Sequence, residues 1–145
     1  MLAVAACTTP VRGTRAGPAP TVPAPTCRQS TPLHESSAGS EARAASTAGG
    51  LQAWALVQAP VPIHVGDDVK VVWRVTGEGD LSLTLREPGG LPRALQWGPE
   101  AHTESNYERP GEEWGSGYTF DGAGCWVLGV ARGAGTAIVV LDVHE

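Results

Sequence analysis

An alternating stretch near the C-terminus, residues 115–143, constrains the fold of this chain more than any other feature. Trp126, Leu128 and Val130 occupy every second position of its first run, and residues 136–143 are nearly all apolar or β-branched. An Arg-Gly-Ala-Gly segment between the two runs supplies a turn. Alternation with a period of two is typical of a half-buried strand. The stretch therefore predicts the closing hairpin of a β-sandwich.

Two earlier segments show the same alternation and are separated by turn signals. Residues 69–75 place valines and Trp73 on one face and Lys70 and Arg74 on the other, while residues 81–86 alternate leucine with polar residues. Short strands with turn signals at intervals of about ten residues favour an all-β sandwich or barrel. The shared alternation predicts a single core that contains Val71, Trp73, Leu83, Leu85, Trp126, Leu128, Ile138 and Val140.

Composition divides the chain into an N-terminal tail and a domain. Residues 8–49 contain six prolines among threonine, serine, alanine and glycine, and they have few large apolar side chains. Such a segment cannot offset the entropy of ordering it, so it is predicted to be a disordered tether. Residues 51–145 have a length of about 95 residues, which suits one immunoglobulin-like unit. The predicted fold is all-β, an immunoglobulin-like antiparallel β-sandwich of about seven strands preceded by a disordered tail.

The closing hairpin carries motifs that resemble those of known domains. Tyr-Thr-Phe at 118–120, followed by a turn and Gly124, resembles the penultimate corner of bacterial immunoglobulin-like domains. Gly-Cys-Trp at 124–126 is similar to a motif of small surface lipoproteins of Gram-positive bacteria. Lys70 is the only lysine beside nine arginines, a bias typical of a GC-rich genome such as that of an actinobacterium. The resemblance implies the fold and an extracytoplasmic location and indicates no activity.

The segment Val-Ala-Ala-Cys at 4–7 resembles a bacterial lipobox. In lipoproteins that cysteine carries the lipid and becomes the mature N-terminus, which implies lipidation of Cys7 and anchorage to the outer face of the cell membrane. Residues 1–7 are then the remnant of a signal peptide, whose basic start and apolar core of roughly 7–15 residues are cut short. A start codon placed too late would explain this, and a chance match in an alanine-rich start is the alternative.

Cysteine and histidine positions limit the metal chemistry of the chain. If Cys7 carries lipid, Cys27 and Cys125 remain as a candidate disulfide in an oxidising compartment; the alternative is that Cys125 is an ordinary buried thiol. A cupredoxin copper site needs two histidines, one cysteine and usually a methionine, yet residues 126–143 contain neither histidine nor methionine. The four histidines show no metal-ligand spacing, so no metal or other cofactor is expected.

Catalysis and nucleic-acid binding are both disfavoured. Gly-Ser-Gly at 115–117 lacks the glycine that a hydrolase elbow needs two residues before its serine, because position 114 is tryptophan. Paired carboxylates of a glycosidase are defined by their spatial separation, and an acidic loop brings carboxylates together without catalysis. Residues 51–145 hold six basic and thirteen acidic side chains, and such a surface repels phosphates. We expect no enzyme, no catalytic residue and no nucleic-acid partner.

Three aromatic residues are candidate ligand-binding residues: Trp97 at a predicted strand end, and Tyr107 and Trp114 in a predicted acidic loop over residues 98–117. Exposed aromatic rings often mark binding surfaces. The alternative is that Trp97 and Trp114 cover the open end of the core. We expect a lipid-anchored extracytoplasmic protein with a non-catalytic interaction domain. A carbohydrate or cell-wall binding module is the second hypothesis, so the expected partner is a cell-wall glycan or a surface protein.

Overall fold

The computed structural model describes residues 27–103 and 105–145. In these ranges the chain is all-β and forms two sheets packed as a sandwich, which confirms the predicted fold class. It contains twelve strands there instead of about seven. The same ranges contain no helix with the length and apolar character needed to cross a membrane. The lipobox and Cys7 lie outside the described residues.

The strands belong to two sheets, and several consecutive strands lie in the same sheet. They are β1 (His34–Ser36), β2 (Gly39–Arg43), β3 (Ala45–Ala48), β4 (Ala53–Gln58), β5 (Ile63–His64), β6 (Asp68–Val75), β7 (Leu81–Arg86), β8 (Pro92–Arg93), β9 (Trp97–His102), β10 (Glu112–Thr119), β11 (Gly124–Arg132) and β12 (Gly135–His144). Sheet A has the order β1-β2-β4-β6-β10-β9, and sheet B has the order β3-β12-β11-β7-β8. The short β5 pairs in parallel with the end of β12, and the other pairs are antiparallel.

The inner faces of the two sheets pack against each other and form one core. Trp73 from β6 and Trp126 from β11 are its largest fully buried side chains. The rings of Phe120 and Trp126 are tilted against each other with centroids 5.1 Å apart, and the Trp126 indole donates to the Gly122 carbonyl at 2.8 Å. Six of the eight predicted core residues are buried here: Val71, Trp73, Leu83, Leu85, Trp126 and Leu128.

Polar groups inside the core satisfy one another in a short chain of hydrogen bonds. The Trp73 indole donates to the Ser116 hydroxyl at 2.8 Å, and that hydroxyl donates to the Tyr118 phenol oxygen at 3.0 Å. Burial raises the pKa of Tyr118 to about 12, although hydrogen bonds with Ser116 and Trp73 act in the opposite direction. A buried polar group without a partner is costly. These hydrogen bonds therefore allow Trp73 and Tyr118, which both carry polar atoms, to be buried in the core.

Arg132 closes one end of the core. Its guanidinium donates to the carbonyls of Gly79 and Val75, each at 2.9 Å, and forms an ion pair with Glu112. The same group lies over the Trp114 ring, 4.5 Å from its centroid. A cation stacked on an aromatic face is stabilised by the ring quadrupole. The backbone carbonyls at the ends of β6 and the following turn are thereby satisfied inside the structure.

The prediction that Ile138 and Val140 face the core is wrong. Both are only partly buried, while the alternate residues Val139 and Leu141 are fully buried. The run 136–143 is apolar on both faces, so its composition does not show which face points inward. The register with β11 decides this, because it places Leu141 opposite Trp126.

The predicted tether is wrong for its C-terminal part, since residues 34–48 form three strands. β2 pairs with β4 in sheet A, and β3 pairs with β12 in sheet B. Ala42 and Ala44 are buried in the core. Main-chain hydrogen bonds hold these strands, and small alanines supply their buried apolar side chains, so the segment needs no large apolar side chain. The ordered domain therefore begins well before residue 51.

A disulfide joins Cys27 to Cys125, which confirms the candidate pairing. The two Cα atoms are 4.9 Å apart across a sequence separation of 98 residues. Further along, Thr31 bonds to Val140 of β12 twice, through its amide at 2.8 Å and its hydroxyl at 2.9 Å. The segment from residue 27 to 33 is thus fixed to sheet B by one covalent bond and by main-chain contacts.

The acidic loop predicted over 98–117 is shorter than expected. β9 covers Trp97–His102, and β10 begins at Glu112. Trp114 is therefore a strand residue. Gly115 and Gly117 fill the outward positions of β10, because the rings of Trp97 and His102 occupy the space above them. With glycine at alternate positions, the sequence of β10 shows no alternation of apolar and polar residues, so the strand was not predicted.

Candidate functional site

A chain segment lies across the outer face of sheet A, between β9 and β10. We call residues 103 and 105–111 the crossing segment. The Arg74 guanidinium, which projects outward from β6, donates to the Tyr107 carbonyl at 2.8 Å and to the Gly111 carbonyl at 3.0 Å. One strand residue therefore fixes two points of the crossing segment over the sheet.

Glu41 of β2 holds the other side of the crossing segment. The Tyr107 hydroxyl donates to one carboxylate oxygen at 2.7 Å, and Arg109 donates to the other at 2.6 Å. Burial opposes ionisation of Glu41, but the hydrogen bonds from Arg109 and Tyr107 outweigh it and lower the pKa of this carboxyl. Burial and the neighbouring Glu41 also raise the pKa of the Tyr107 phenol. The contact thus pairs an ionised carboxylate with a protonated phenol.

The crossing segment and the sheet beneath it enclose a groove of about 570 Å³, which we call the outer groove. Its floor comes from β4 and β6, where Leu56 lies opposite Val72, and Gln58 lies opposite Lys70. Side chains of the crossing segment and of β9 form its walls. The lining residues used below are Leu56, Gln58, Lys70, Val72, His102 and Asn106, together with Tyr107 and Glu113.

Glu113 lies at one end of the outer groove and is almost completely buried. Its side chain is 4 % exposed, and its Oε1 atom is 3.2 Å from His102 Nδ1. The Oε2 atom lies 3.8 Å from Arg74 Nε and has no hydrogen bond among the described residues. Because a buried carboxylate is costly unless it is paired, the Arg74 cation accounts for its presence.

The three predicted aromatic residues do not form a common binding surface. Trp114 is 8 % exposed and belongs to the core under Arg132, so it cannot stack on a ligand and its assignment as a binding residue is wrong. It covers the end of the core, as the alternative interpretation had it. Tyr107 lines the outer groove, but its hydroxyl is bonded to Glu41. Trp97 is half-buried and lies against Gly117 on the outer face.

The described residues contain no group of three histidine, cysteine, aspartate or glutamate side chains that could hold a metal ion. Two histidines, His64 and His144, are register partners on β5 and β12 with ring centroids 6.0 Å apart. Their juxtaposition depends on a parallel strand pairing that the sequence does not show. The His102–Glu113 pair has the composition of a general acid and base, and among the described residues no hydrogen bond joins it to a serine, threonine, cysteine or lysine side chain.

Sequence reasoning missed most of the residues that build the outer groove. Lys70 and Arg74 were correctly placed on the outer face of their strand. The sequence places Glu41 in the predicted tether, and Glu113 and His102 in the predicted acidic loop. It therefore does not predict that these three side chains converge. Only the strand register brings Glu113 opposite Arg74 and next to His102.

Comparison of the chain with protein-family models, with curated proteins and with solved structures gave no match. Function is therefore inferred from the geometry of the described residues.

The position of Trp97 depends on the absence of a side chain at Gly117. A Cβ atom there would lie 1.9 Å from the Trp97 indole nitrogen, whereas one at Gly122 would meet nothing within 4 Å. We expect Gly117→Ala to displace the indole and to lower the free energy of unfolding by about 1–3 kcal/mol. Gly122→Ala is the control and should change it little. Urea denaturation followed by tryptophan fluorescence measures both, and equal stability of the two variants would contradict this packing.

The Glu41 contact should give the protein a defined pH dependence. Because the folded pKa of Glu41 lies below its usual value of 4.5, the stabilisation is complete above pH 4.5 and is lost as the pH falls through the folded pKa. We expect Glu41→Gln to be less stable than the parent at pH 7, and the difference to shrink as the pH falls below 4.5.

The control is Glu108→Gln, which removes an exposed carboxylate of the same segment. Its effect on the free energy of unfolding should be small and nearly independent of pH. Denaturation curves between pH 7 and pH 3, about one unit apart, make the comparison. A Glu41→Gln effect that keeps the same size across this range would show that the carboxylate charge does not hold the crossing segment.

Proposed function

We propose that this protein is an extracytoplasmic, non-catalytic interaction domain, anchored to the outer face of the cell membrane by lipid on Cys7. Its binding surface is the outer groove. The anchor and the domain are joined by the segment before Cys27, and the ligand is a component of the cell exterior.

The observation that carries the location is the disulfide between Cys27 and Cys125. Disulfides persist in oxidising compartments and are rare in the cytosol of most organisms. The pair leaves Cys7 as the third cysteine of the chain, which is the arrangement expected if that cysteine carries lipid. An acyl chain gains roughly 0.8 kcal/mol for each methylene that enters the bilayer, and stable anchorage takes more than one chain.

The positions of the disulfide and the groove favour a display function. Cys125 alternates with the inward-facing Trp126, so its side chain projects from the outer face of sheet B. The outer groove lies on the outer face of sheet A. A chain entering at Cys27 therefore reaches the domain on the side away from the groove. Residues 8–26, fully extended, would span at most about 65 Å.

A carbohydrate or cell-wall binding module is the second candidate function. The sequence supports this hypothesis through exposed aromatic rings, and the burial of Trp114 removes one of them. The polar groups that converge on the outer groove now support it in place of an aromatic platform. A surface protein is a weaker candidate partner, because the groove is concave and lined by side chains.

Membrane anchorage is tested by expressing the chain from its natural upstream DNA in a Gram-positive host. We expect the protein to partition into the detergent phase of a Triton X-114 extract. Cys7→Ser should move it to the aqueous phase or leave it unprocessed, and Thr9→Ser, a neighbouring conservative change, should have no effect. Recovery of the parent protein in the cytoplasmic fraction would contradict the proposed location.

A further inference from the structure

We propose that the outer groove binds a saccharide that carries a single carboxylate, with Lys70 as the residue that recognises the charge. This inference rests on the proposed binding function and adds the chemical class of the ligand. Three features support it: the polar side chains of the groove that lack a partner, the charge of the groove, and its apolar floor.

Several hydrogen-bonding side chains of the groove have no partner among the described residues. Gln58, Lys70 and Asn106 make no side-chain hydrogen bond and no ion pair with any described residue. By contrast, Glu41 in the adjoining depression already accepts hydrogen bonds from Arg109 and Tyr107. Each side-chain amide offers both a donor and an acceptor. Such groups suit a ligand with several neighbouring hydroxyls.

The floor of the groove is apolar although it belongs to the outer face of the sheet. Leu56 and Val72 point outward as register partners, yet they are only 4 % and 7 % exposed. The crossing segment and the flanking side chains cover them on several sides. A small apolar floor surrounded by polar groups matches the C–H face and the hydroxyl rim of a sugar ring.

The charges of the groove favour an acidic ligand. Glu113 is buried and faces both Arg74 and His102, so its charge is compensated within the protein. Lys70 is exposed and is the only lysine of the chain. Its position is four residues from Arg74 on β6, so the two ends of the groove are about 13 Å apart. Among the described residues of the groove lining, Lys70 is the only lysine or arginine, and it lies at one end of the groove.

A saccharide explains this surface better than a peptide or a nucleic acid. The groove lies on the face of a sheet, where the main-chain groups of the strands are already used in the ladder, so an extended peptide cannot add a strand there. A polyanion is repelled, because residues 51–145 carry thirteen acidic and six basic side chains. One carboxylate on a neutral, hydroxyl-rich ligand can pair with Lys70, the only lysine or arginine among the described residues of the groove lining, without this penalty.

Lys70 provides a direct reporter of binding. Reductive methylation with ¹³C-formaldehyde keeps the charge of the amine and labels one side chain in the whole chain. The probe is the disaccharide of N-acetylglucosamine and N-acetylmuramic acid. Its neutral counterpart, N,N′-diacetylchitobiose (chitobiose below), lacks the lactyl carboxylate. We expect the first to shift the Lys70 methyl resonance and chitobiose to shift it much less. Titration to about 10 mM detects dissociation constants in the millimolar range.

Unlabelled variants test the same site by calorimetry. Lys70→Gln should weaken binding of the acidic disaccharide about tenfold, the usual effect of losing a charge-assisted hydrogen bond. Arg43→Gln is the matched control: it removes a cation from the same outer face, where Arg43 lies over Trp54, outside the groove lining. It should change the affinity less than about twofold.

Each outcome decides between the hypotheses. Absence of binding by the parent protein, equal affinity for chitobiose, or an unchanged affinity of Lys70→Gln would overturn the proposed ligand class or site. None of these results affects the location, which the detergent partition of the anchored protein tests separately. Conversely, a cytoplasmic protein that binds the acidic disaccharide through Lys70 would retain this site and refute the proposed location.

Discussion

Trp126 fills the space between the two sheets, and its indole nitrogen donates to the turn at Gly122, so one residue serves both the packing and the polar requirements of the core. Its strand, β11, is central to sheet B, while Trp73 has the corresponding role in sheet A. Burying a large aromatic side chain contributes several kcal/mol. The burial of these two tryptophans determines which face of each sheet points inward. The outward faces, including the groove, follow by alternation along the strands.

The outer face of sheet A is organised by two charged residues that the core leaves pointing outward. Arg74 bonds to two carbonyls of the crossing segment and compensates the buried Glu113. Glu41 accepts from Tyr107 and Arg109 at the far side. The segment is therefore held over the sheet by side chains of β6 and β2, and it covers a groove in which Gln58, Lys70 and Asn106 have no hydrogen-bond partner among the described residues. In the proposed function, the side chains that hold the segment differ from those that bind the ligand.

Much of the architecture was predictable where a strand has one apolar and one polar face. The residues around Trp73 and the leucines of β7 alternate cleanly, and their burial agrees with the prediction. Alternation fails where both faces are apolar, as at Ile138 and Val140. It also fails where glycine takes the outward positions, as at Gly115.

The N-terminal strands and the groove could not be predicted for a related reason. Residues 34–48 join the sheets through main-chain hydrogen bonds and small buried alanines. Amino-acid composition gives no signal of such contacts. Likewise, the ion pair of Glu113 with Arg74 depends on strand register, and the hydrogen bond from Tyr107 to Glu41 depends on the path of a loop. These are long-range properties, and a single sequence shows neither. The aromatic residues were a misleading guide, because a buried and an exposed tryptophan look alike in sequence.

The central claim is that the segment beginning at Cys27 is part of the sandwich of an exported protein. Peptide mapping by mass spectrometry, without reduction and after alkylation of free thiols, tests it most directly on protein purified from its host. A cross-linked peptide pair containing Cys27 and Cys125, with neither cysteine alkylated, is the predicted result. Alkylation of both cysteines in the native protein would contradict the account, since it would separate the N-terminal segment from sheet B and remove the support for an oxidising location.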